Sequence, residues 1–438
     1  MPASSADPSW REAARRGFSN EDWRAECAQR AEAARNLSDS ALIAGVRRWT
    51  ARLNEAGPGS PAWDRLVPWA ETPRGPIVGY AVPTFAKALL ELDAARASEM
   101  GAERVWVDWA TGGEARPPER GFEGVTVGGG PSCAAGARPA AASSSPSSSS
   151  TPPYLALNAS LATPEARTEA LGALLRAARD AGVVVGWRDE PYPVSLRRRG
   201  VRRGDGEAAG GSSSPSSAPG LLCVERASAK LLGIKAYGVH LNLYRGSFED
   251  PSSLRLWLAR RSRVKPTWPG RLDNAVAGGQ PSGLGIVENA RKECAEEAGV
   301  DAEALRRIRP AGAISYASAM VGLTASGLDA AGAAGAGGAG GSGSATPFSV
   351  SGEVARDVMF VADLPLHDSF EPSPADGEAE GFVLLPAKDA LRIAATTDLF
   401  KDNCNLVVAD FCLRAGLVDP DADGYLDLVE ELRWGECK

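Results

Sequence analysis

The sequence predicts an α/β protein, and three observations carry the prediction. Apolar and polar residues alternate in short runs, with Val239, Leu241 and Leu243 set against His240, Asn242 and Tyr244, the period of a half-buried strand. Other stretches have the helical period, as at Leu37, Leu42, Ile43, Val46 and Trp49. Three tracts of Gly, Ala, Ser and Pro, at 128–151, 203–220 and 322–347, separate these segments. Such tracts bury too little surface to offset their ordering entropy and are expected to be disordered. They set the expected organisation: a smaller N-terminal α/β domain over 20–202, a linker over 203–220, a larger domain over 221–418 and a tail over 419–438. Long inserts are tolerated because closure entropy grows slowly with length, and they are expected to lie away from a catalytic cleft.

In chain order, Trp23 to Trp49 is expected as one or two amphipathic helices, Ile77 to Tyr80 as a strand and Phe85 to Ala95 as a helix. Val105 to Val107 and Phe122 to Val127 suggest further short strands. Thr163-Pro164-Glu165 opens a helix with proline in its first turn, continued by Leu171, Leu174, Leu175 and Ala178. The segment Gly186 to Val194 is dense in aromatics and charge, and reads either as a domain-edge turn or as a substrate wall. The basic run Arg197 to Arg203 reads as a solvated loop flank, with phosphate contact as the alternative. Leu254, Leu256 and Leu258 alternate against Arg255 and Trp257, a strand beside Val239–Tyr244. Ala313–Met320, Val358–Leu364 and Phe382–Leu385 are expected strands, and Lys388–Ala395 and Asn405–Ala415 expected helices.

Composition narrows the function. The 438 residues leave room for two or three domains. A net charge of -7, from 48 basic and 55 acidic residues, makes nucleic acid an unexpected partner. The uncharged run from Ala311 to Leu328 is made of small and polar residues, so no membrane span is expected. Seven cysteines without a CxxC pair fit a reducing compartment rather than a disulfide framework or a zinc site. The first twenty residues mix Asp7 and Glu12 with arginines and lack an apolar core, which argues against a secretory signal. The expected location is cytoplasmic, with plastid or mitochondrion as alternatives. Only His240 and His367 are present, so metal chemistry must rest on carboxylates.

Those carboxylates concentrate in one stretch. Ala277-Gly278-Gly279-Gln280-Pro281-Ser282-Gly283 reads as a glycine-rich loop, Val287 to Ala298 as a helix, and Gly299 as its left-handed stop. Glu293, Glu296 and Glu297, spaced i, i+3 and i+4, share one face, while Ala290, Cys294 and Ala298 form a small-residue face fit to pack on a sheet. Three carboxylates on one turn repel one another, which reads either as a solvated acidic surface or as a site where a hard divalent cation, Mg2+ or alternatively Mn2+, cancels their charge. Downstream, Pro374 to Glu380 supplies a distal acid for the same shell, with Glu378 favoured over Glu380. The cations of Arg260 to Lys265 either meet a substrate diphosphate or balance the acidic helix. In the tail, Asp419, Asp421, Asp423, Gly424, Asp427 and Glu430 match the spacing of a calcium loop, but Asp421-Ala422-Asp423-Gly424 is also a simple turn.

The stretch resembles the Nudix box, G-x5-E-x7-R-E-U-x-E-E-x-G-U, through Gly278, Glu293, Cys294, Glu296, Glu297, Gly299 and Val300. Leu284 stands at the first glutamate position and Lys292 at the arginine; lysine keeps the charge that orients the carboxylates but loses the planar fork. Together with Gly186-Trp187-Arg188-Asp189-Glu190, Tyr237-Gly238-Val239-His240, Lys265-Pro266-Thr267-Trp268-Pro269-Gly270 and Asp376-Gly377-Glu378-Ala379-Glu380, it is similar to the thiamin-pyrophosphokinase-related Nudix branch. That resemblance implies an α/β/α sandwich with a mixed sheet, preceded by a family-specific N-terminal domain. It implies Mg2+ held by Glu293, Glu296, Glu297 and Glu378, which are also the catalytic carboxylates. The implied reaction cuts thiamin diphosphate, or its oxo and oxy analogues, to the monophosphate plus phosphate. Gly278 and Gly279 would admit the substrate backbone-side, Arg263, Lys265 and Lys292 would meet its phosphates, and Trp187, Tyr192 or Trp268 would stack on its ring. Two alternatives remain: hydrolysis of nucleoside diphosphate derivatives such as ADP-ribose or coenzyme A, and a non-catalytic module that binds thiamin diphosphate. A kinase is disfavoured because no GxxxxGK[ST] loop is present.

Overall fold

The computed structural model describes residues 20–55, 57, 60–72, 77–101, 103–108, 154–194, 220–265, 267–321, 352–374 and 376–433. The tracts 128–151 and 322–347, the linker up to 219, the basic run 197–203 and the expected strand 122–127 lie outside the described residues.

The helices are α1 (Asn20–Ala33), α2 (Asp39–Leu53), α3 (Pro83–Met100), α4 (Pro164–Asp180), α5 (Ile286–Ala298), α6 (Ala302–Leu305), α7 (Ala387–Thr396), α8 (Asp402–Arg414) and α9 (Tyr425–Glu431). Thr163 caps α4 through its side chain, with Pro164 in the first turn. In the N-terminal half, strands β1 (Val67–Ala70), β2 (Ile77–Ala81), β3 (Trp106–Asp108) and β4 (Leu155–Leu157) form a four-stranded sheet in the order β2-β1-β4-β3. Its core gathers Trp69, Trp106, Leu155 and Leu157 with Phe85 and Leu89 of α3 and Leu171, Leu174 and Leu175 of α4. A hairpin of β5 (Pro191–Val194) and β6 (Leu222–Glu225) follows, pairing Pro191 with Glu225 and Val194 with Leu222.

The larger sheet contains β7 (Ala236–Ser247), β8 (Asp250–Arg261), β9 (Leu272–Asn274), β10 (Val276–Gly279), β11 (Arg309–Val321), β12 (Gly352–Pro365) and β13 (Ala379–Pro386). Its order is β11-β12-β7-β8-β13, with β10 on β7 and β9 on β8. β12 runs parallel to β7 and the other pairs are antiparallel, so the sheet is mixed. One face packs Val239, Leu241 and Leu243 on Ala290, Cys294 and Ala298 of α5, as the small-residue face predicts. The other packs Tyr244, Leu254, Leu256 and Leu258 on α7 and α8.

Two expectations require correction. β7 reads as half-buried, yet Val239 to Tyr244 is buried on both faces, because helices cover each side of the sheet. The covering layer includes α1 and α2, which the sequence assigns to the N-terminal unit. Trp23, Cys27, Leu42, Ile43, Val46 and Trp49 join the core built by α7 and α8. The Trp49 indole N–H donates to Ala394 O at 2.9 Å, and a Cβ on Gly45 would stand 2.3 Å from Ala395 O. Periodicity shows that a helix has an apolar face but not which layer that face meets. The two halves also touch directly: Trp69 Nε1 donates to Leu232 O at 2.8 Å, and Gly79 bridges Ile234.

Candidate metal and substrate site

Strand β10 and helix α5 form the centre of the site. α5 ends at Gly299 with φ 65°, the left-handed stop read from the sequence. The loop between them is clamped by amides: Gln280 Nε2 donates to Leu284 O at 2.6 Å and Asn289 Nδ2 to Gly279 O at 2.9 Å. Leu284, at the first box glutamate position, therefore contributes its carbonyl to the loop rather than a ligand. A Cβ on Gly278 would lie 2.3 Å from Glu293 Cδ. The glycine makes room for the Glu293 carboxyl against the strand, a different use from the close substrate approach expected of it. A Cβ on Gly279 would lie 2.9 Å from the Tyr192 hydroxyl.

The acids do not behave alike. The Ala277 N–H donates to Glu297 Oε2 at 3.0 Å. Burial, helped by the charges of Glu293, Glu378 and Asp273, pushes the Glu297 carboxyl up to about 9 against that hydrogen bond. Burial also raises Glu293, against the pull of Lys292. Lys292 reaches Glu296 at 2.6 Å and Glu293 at 3.5 Å, so it orients two box carboxylates from the arginine position. Glu296 is exposed and paired on the rim. Glu297, Asp376 and Glu378 bring one carboxylate oxygen each within 4.8 Å of one another. The Glu378 N–H donates to Asp376 Oδ1 at 2.8 Å, and Ser262 N donates to Glu378 O at 2.9 Å, which ties this turn to the end of β8. Glu380 is excluded. Burial opposes its charge, but the Arg263 N–H groups, at 2.9 and 3.0 Å, and the nearby Arg260 hold its carboxyl below the ordinary range.

Sequence reasoning missed Asp376. Asp-Gly-Glu signals a turn, and the left-handed Gly377 (φ 79°) supplies it, but only the tertiary fold shows that both acids face Glu297. Of the expected substrate cations, Lys265 pairs with Glu378 at 2.5 Å and Arg263 with Glu380, so both brace the acidic turn. The aromatic expectations change most. Tyr192 is buried, with its hydroxyl donating to Tyr237 O at 3.0 Å, so it supports β10 from behind and offers no ring for stacking. Trp187 donates to Asp189 at 2.7 Å under the Arg179 guanidinium and packs on the N-terminal core. Trp268, at φ 55°, lies beneath Arg271 with 5.1 Å from guanidinium carbon to ring centroid. His240 is buried against Asn274 at 2.9 Å and burial lowers it to about 4, so it is a core histidine. In the tail, Asp419 N donates to Asp39 and Asp427 pairs with Arg47 at 2.9 Å. The acids of that turn form no converging group of possible ligands among the described residues, and its polar contacts dock it on α2.

The donor set fits a hard divalent cation. All three converging groups are carboxylates, and Glu297 is partly buried with a backbone N–H and no ion-pair partner among the described residues. A cradle without a Cβ holds the Glu293 carboxyl beside them.

A strand of glycines leading into a helix that carries the box carboxylates is the arrangement that the Nudix resemblance implies, and the chain is similar in sequence to curated Nudix hydrolases. The chain is 34% identical over 285 residues to Nudix hydrolase 24, chloroplastic, of Arabidopsis thaliana, covering 65% of this chain and 64% of that one. It is 36% identical over 285 residues to Nudix hydrolase 20, chloroplastic, of the same plant, covering 65% and 62%. An uncharacterized protein of Saccharomyces cerevisiae is 33% identical over 254 residues, covering 57% of this chain and 61% of that one. The chain thus spans less than two thirds of the length of these relatives. The model of a domain of unknown function, DUF4743, matches residues 144–199. No helix among the described residues is long and apolar enough to cross a membrane.

Proposed function

We propose that the chain hydrolyses the diphosphate linkage of a small molecule with Mg2+, Mn2+ being the substitute. The observation that carries this reading is the convergence of Glu297, Asp376 and Glu378 beside a Glu293 carboxyl seated on Gly278. Glu297, Asp376 and Glu378 would hold the ion, with Glu293 adjoining. Once bound there, a divalent cation neutralises phosphate oxygens and makes water a better nucleophile. Lys292 keeps the Glu293 and Glu296 carboxyls oriented, and Lys265 steadies Glu378. The proton of the attacking water passes to a carboxylate of the Glu293–Glu297 turn. Burial raises both carboxyls in the metal-free protein, so a cation binding there would displace the proton that Glu297 carries at neutral pH.

The proposed substrate is thiamin diphosphate or its oxo or oxy analogue, cut to the monophosphate plus phosphate. Support comes from the branch-type motifs alone, since Tyr192 turns inward. The chloroplastic names of the two Arabidopsis relatives favour a plastid over the cytoplasm for this chain. The test is Mg2+-dependent release of phosphate and monophosphate from thiamin diphosphate, its two analogues, ADP-ribose and coenzyme A. Preference for the thiamin compounds, lost in Glu297→Gln, is the expected result. Cleavage of ADP-ribose or coenzyme A in their place would keep the reaction and discard the substrate. Folded protein that cuts none of them would make this a binding module.

A further inference from the structure

Gly186-Trp187-Arg188-Asp189-Glu190 stands out in the sequence, and the carboxylate chemistry above does not use it. Its backbone is unusual: Asp189 has φ 57°, a left-handed conformation that costs a non-glycine residue about 1 kcal/mol or more. Glu225 holds the turn in place. Its carboxylate accepts from Arg188 N at 2.8 Å and from Glu190 N at 3.2 Å. The next residue, Arg226, is gripped at both ends. Its backbone N–H donates to Glu190 O at 3.0 Å, and its Nη1 to Glu190 Oε2 at 2.7 Å. The whole arrangement therefore fixes one guanidinium.

That guanidinium lies against β10. Its Cζ and Nη2 are each 3.6 Å from the point a Cβ on Gly279 would occupy, one residue from the glycine that seats Glu293. It lies over the buried Tyr192 ring, 5.8 Å from the centroid, and feels the charge of Glu378. The side chain is 41% exposed. Among the described residues, Nη2 and Nε donate to no protein acceptor, whereas Lys292 and Lys265 are paired with box or site acids and Arg263 with Glu380 of the same turn. Arg226 is held instead by an acid outside the carboxylate group. Two donor nitrogens of a planar fork thus remain for an anion, beside the strand that carries Gly278 and Gly279.

We propose that Arg226, positioned by Glu190, binds a phosphoryl oxygen of the diphosphate, so that the hairpin following the N-terminal unit completes the site of the larger sheet. This rests on the diphosphate reading above and names a substrate contact that the box does not contain. A structural tie within the hairpin would explain the ion pair with Glu190, but not the Nη2 edge turned to Gly279 of β10.

The experiment measures binding of methylenediphosphonate, a diphosphate mimic that cannot be hydrolysed, by calorimetry in Mg2+. Steady-state kinetics on whichever diphosphate is cut, and melting temperature, accompany it. Loss of a charge-assisted contact predicts roughly tenfold weaker binding and a similar rise in KM for Arg226→Gln. Arg226→Lys should recover part of the affinity, with kcat within about twofold and the melting temperature unchanged. Glu190→Gln should weaken binding less than Arg226→Gln, because the charge stays but its aim loosens. Unchanged affinity and KM in Arg226→Gln, with cleavage still lost in Glu297→Gln, would overturn this proposal and leave the hydrolase reading intact. If no diphosphate is cut yet the mimic binds and Arg226→Gln releases it, the hydrolase reading falls and the phosphate contact stands.

Discussion

Glu297 is a carboxyl that the fold withdraws from water and gives one N–H instead of a cation. Burial raises it to about 9, so the folded metal-free protein binds a proton there more tightly than the unfolded chain does. Stability from this group is therefore lost as pH rises from the ordinary glutamate range towards 9. Glu297→Gln should flatten that slope in thermal melts while cutting Mg2+-dependent hydrolysis by about a hundredfold or more. A mutant that stays active would remove Glu297 from the chemistry. His240 works in the opposite direction. Held neutral by burial down to about 4, it leaves the unfolded chain the better proton binder below its ordinary value of 6.5. Stability should fall by up to about 3 kcal/mol between pH 6.5 and 4, and His240→Gln should lose that step in acid titrations followed by fluorescence. The box carboxylates were legible in the sequence because one helix fixes their spacing. Asp376 was not, since its distance from Glu297 is set by the meeting of a loop with a helix nearly eighty residues earlier.

At the scale of elements, local rules carried far. The helix expected from Val287 to Ala298 is found at Ile286–Ala298, and its small face meets the sheet as expected. What local rules could not supply was the close approach of β10 to α5. Gly278→Ala tests that approach, because its Cβ would stand 2.3 Å from Glu293 Cδ and 2.6 Å from Oε1. The neighbour is a side chain, so the glutamate swings aside and the fold survives. A displacement of about 1 Å at a reacting group costs roughly a hundredfold in rate. The expected outcome is a large fall in kcat with a melting temperature within a few degrees of the parent. A large fall in melting temperature with normal turnover would show that the glycine serves packing and not the site.

At the scale of the whole molecule, composition misplaced the first two helices. Low-complexity tracts mark where a chain can be interrupted, but they do not say which core each side joins. Trp23, Leu42, Ile43, Val46 and Trp49 are all buried against the helices that follow β13. Burying each large apolar side chain contributes about 1.5–3 kcal/mol, so these five approach ~10 kcal/mol, comparable with the net stability of a domain. A fragment beginning at residue 221 would keep α7 and α8 on the sheet but expose the face of those helices that α1 and α2 cover, including Leu391, Ile393 and Ala394. It should aggregate or lose its near-ultraviolet circular dichroism. A chain joining 20–55 to 221–433 through a flexible linker should regain most of the melting cooperativity, even without the four-stranded sheet. Should the 221–433 fragment alone melt as sharply as the full chain, the α2–α7 contact at Gly45 and Ala395 would be ornamental to stability. The site-bearing half would then fold as the sequence boundaries suggest. The packing argues for the first outcome, because Gly45 permits a backbone approach that any side chain would block. Gly45→Leu should therefore reproduce the damage of deletion within the intact protein.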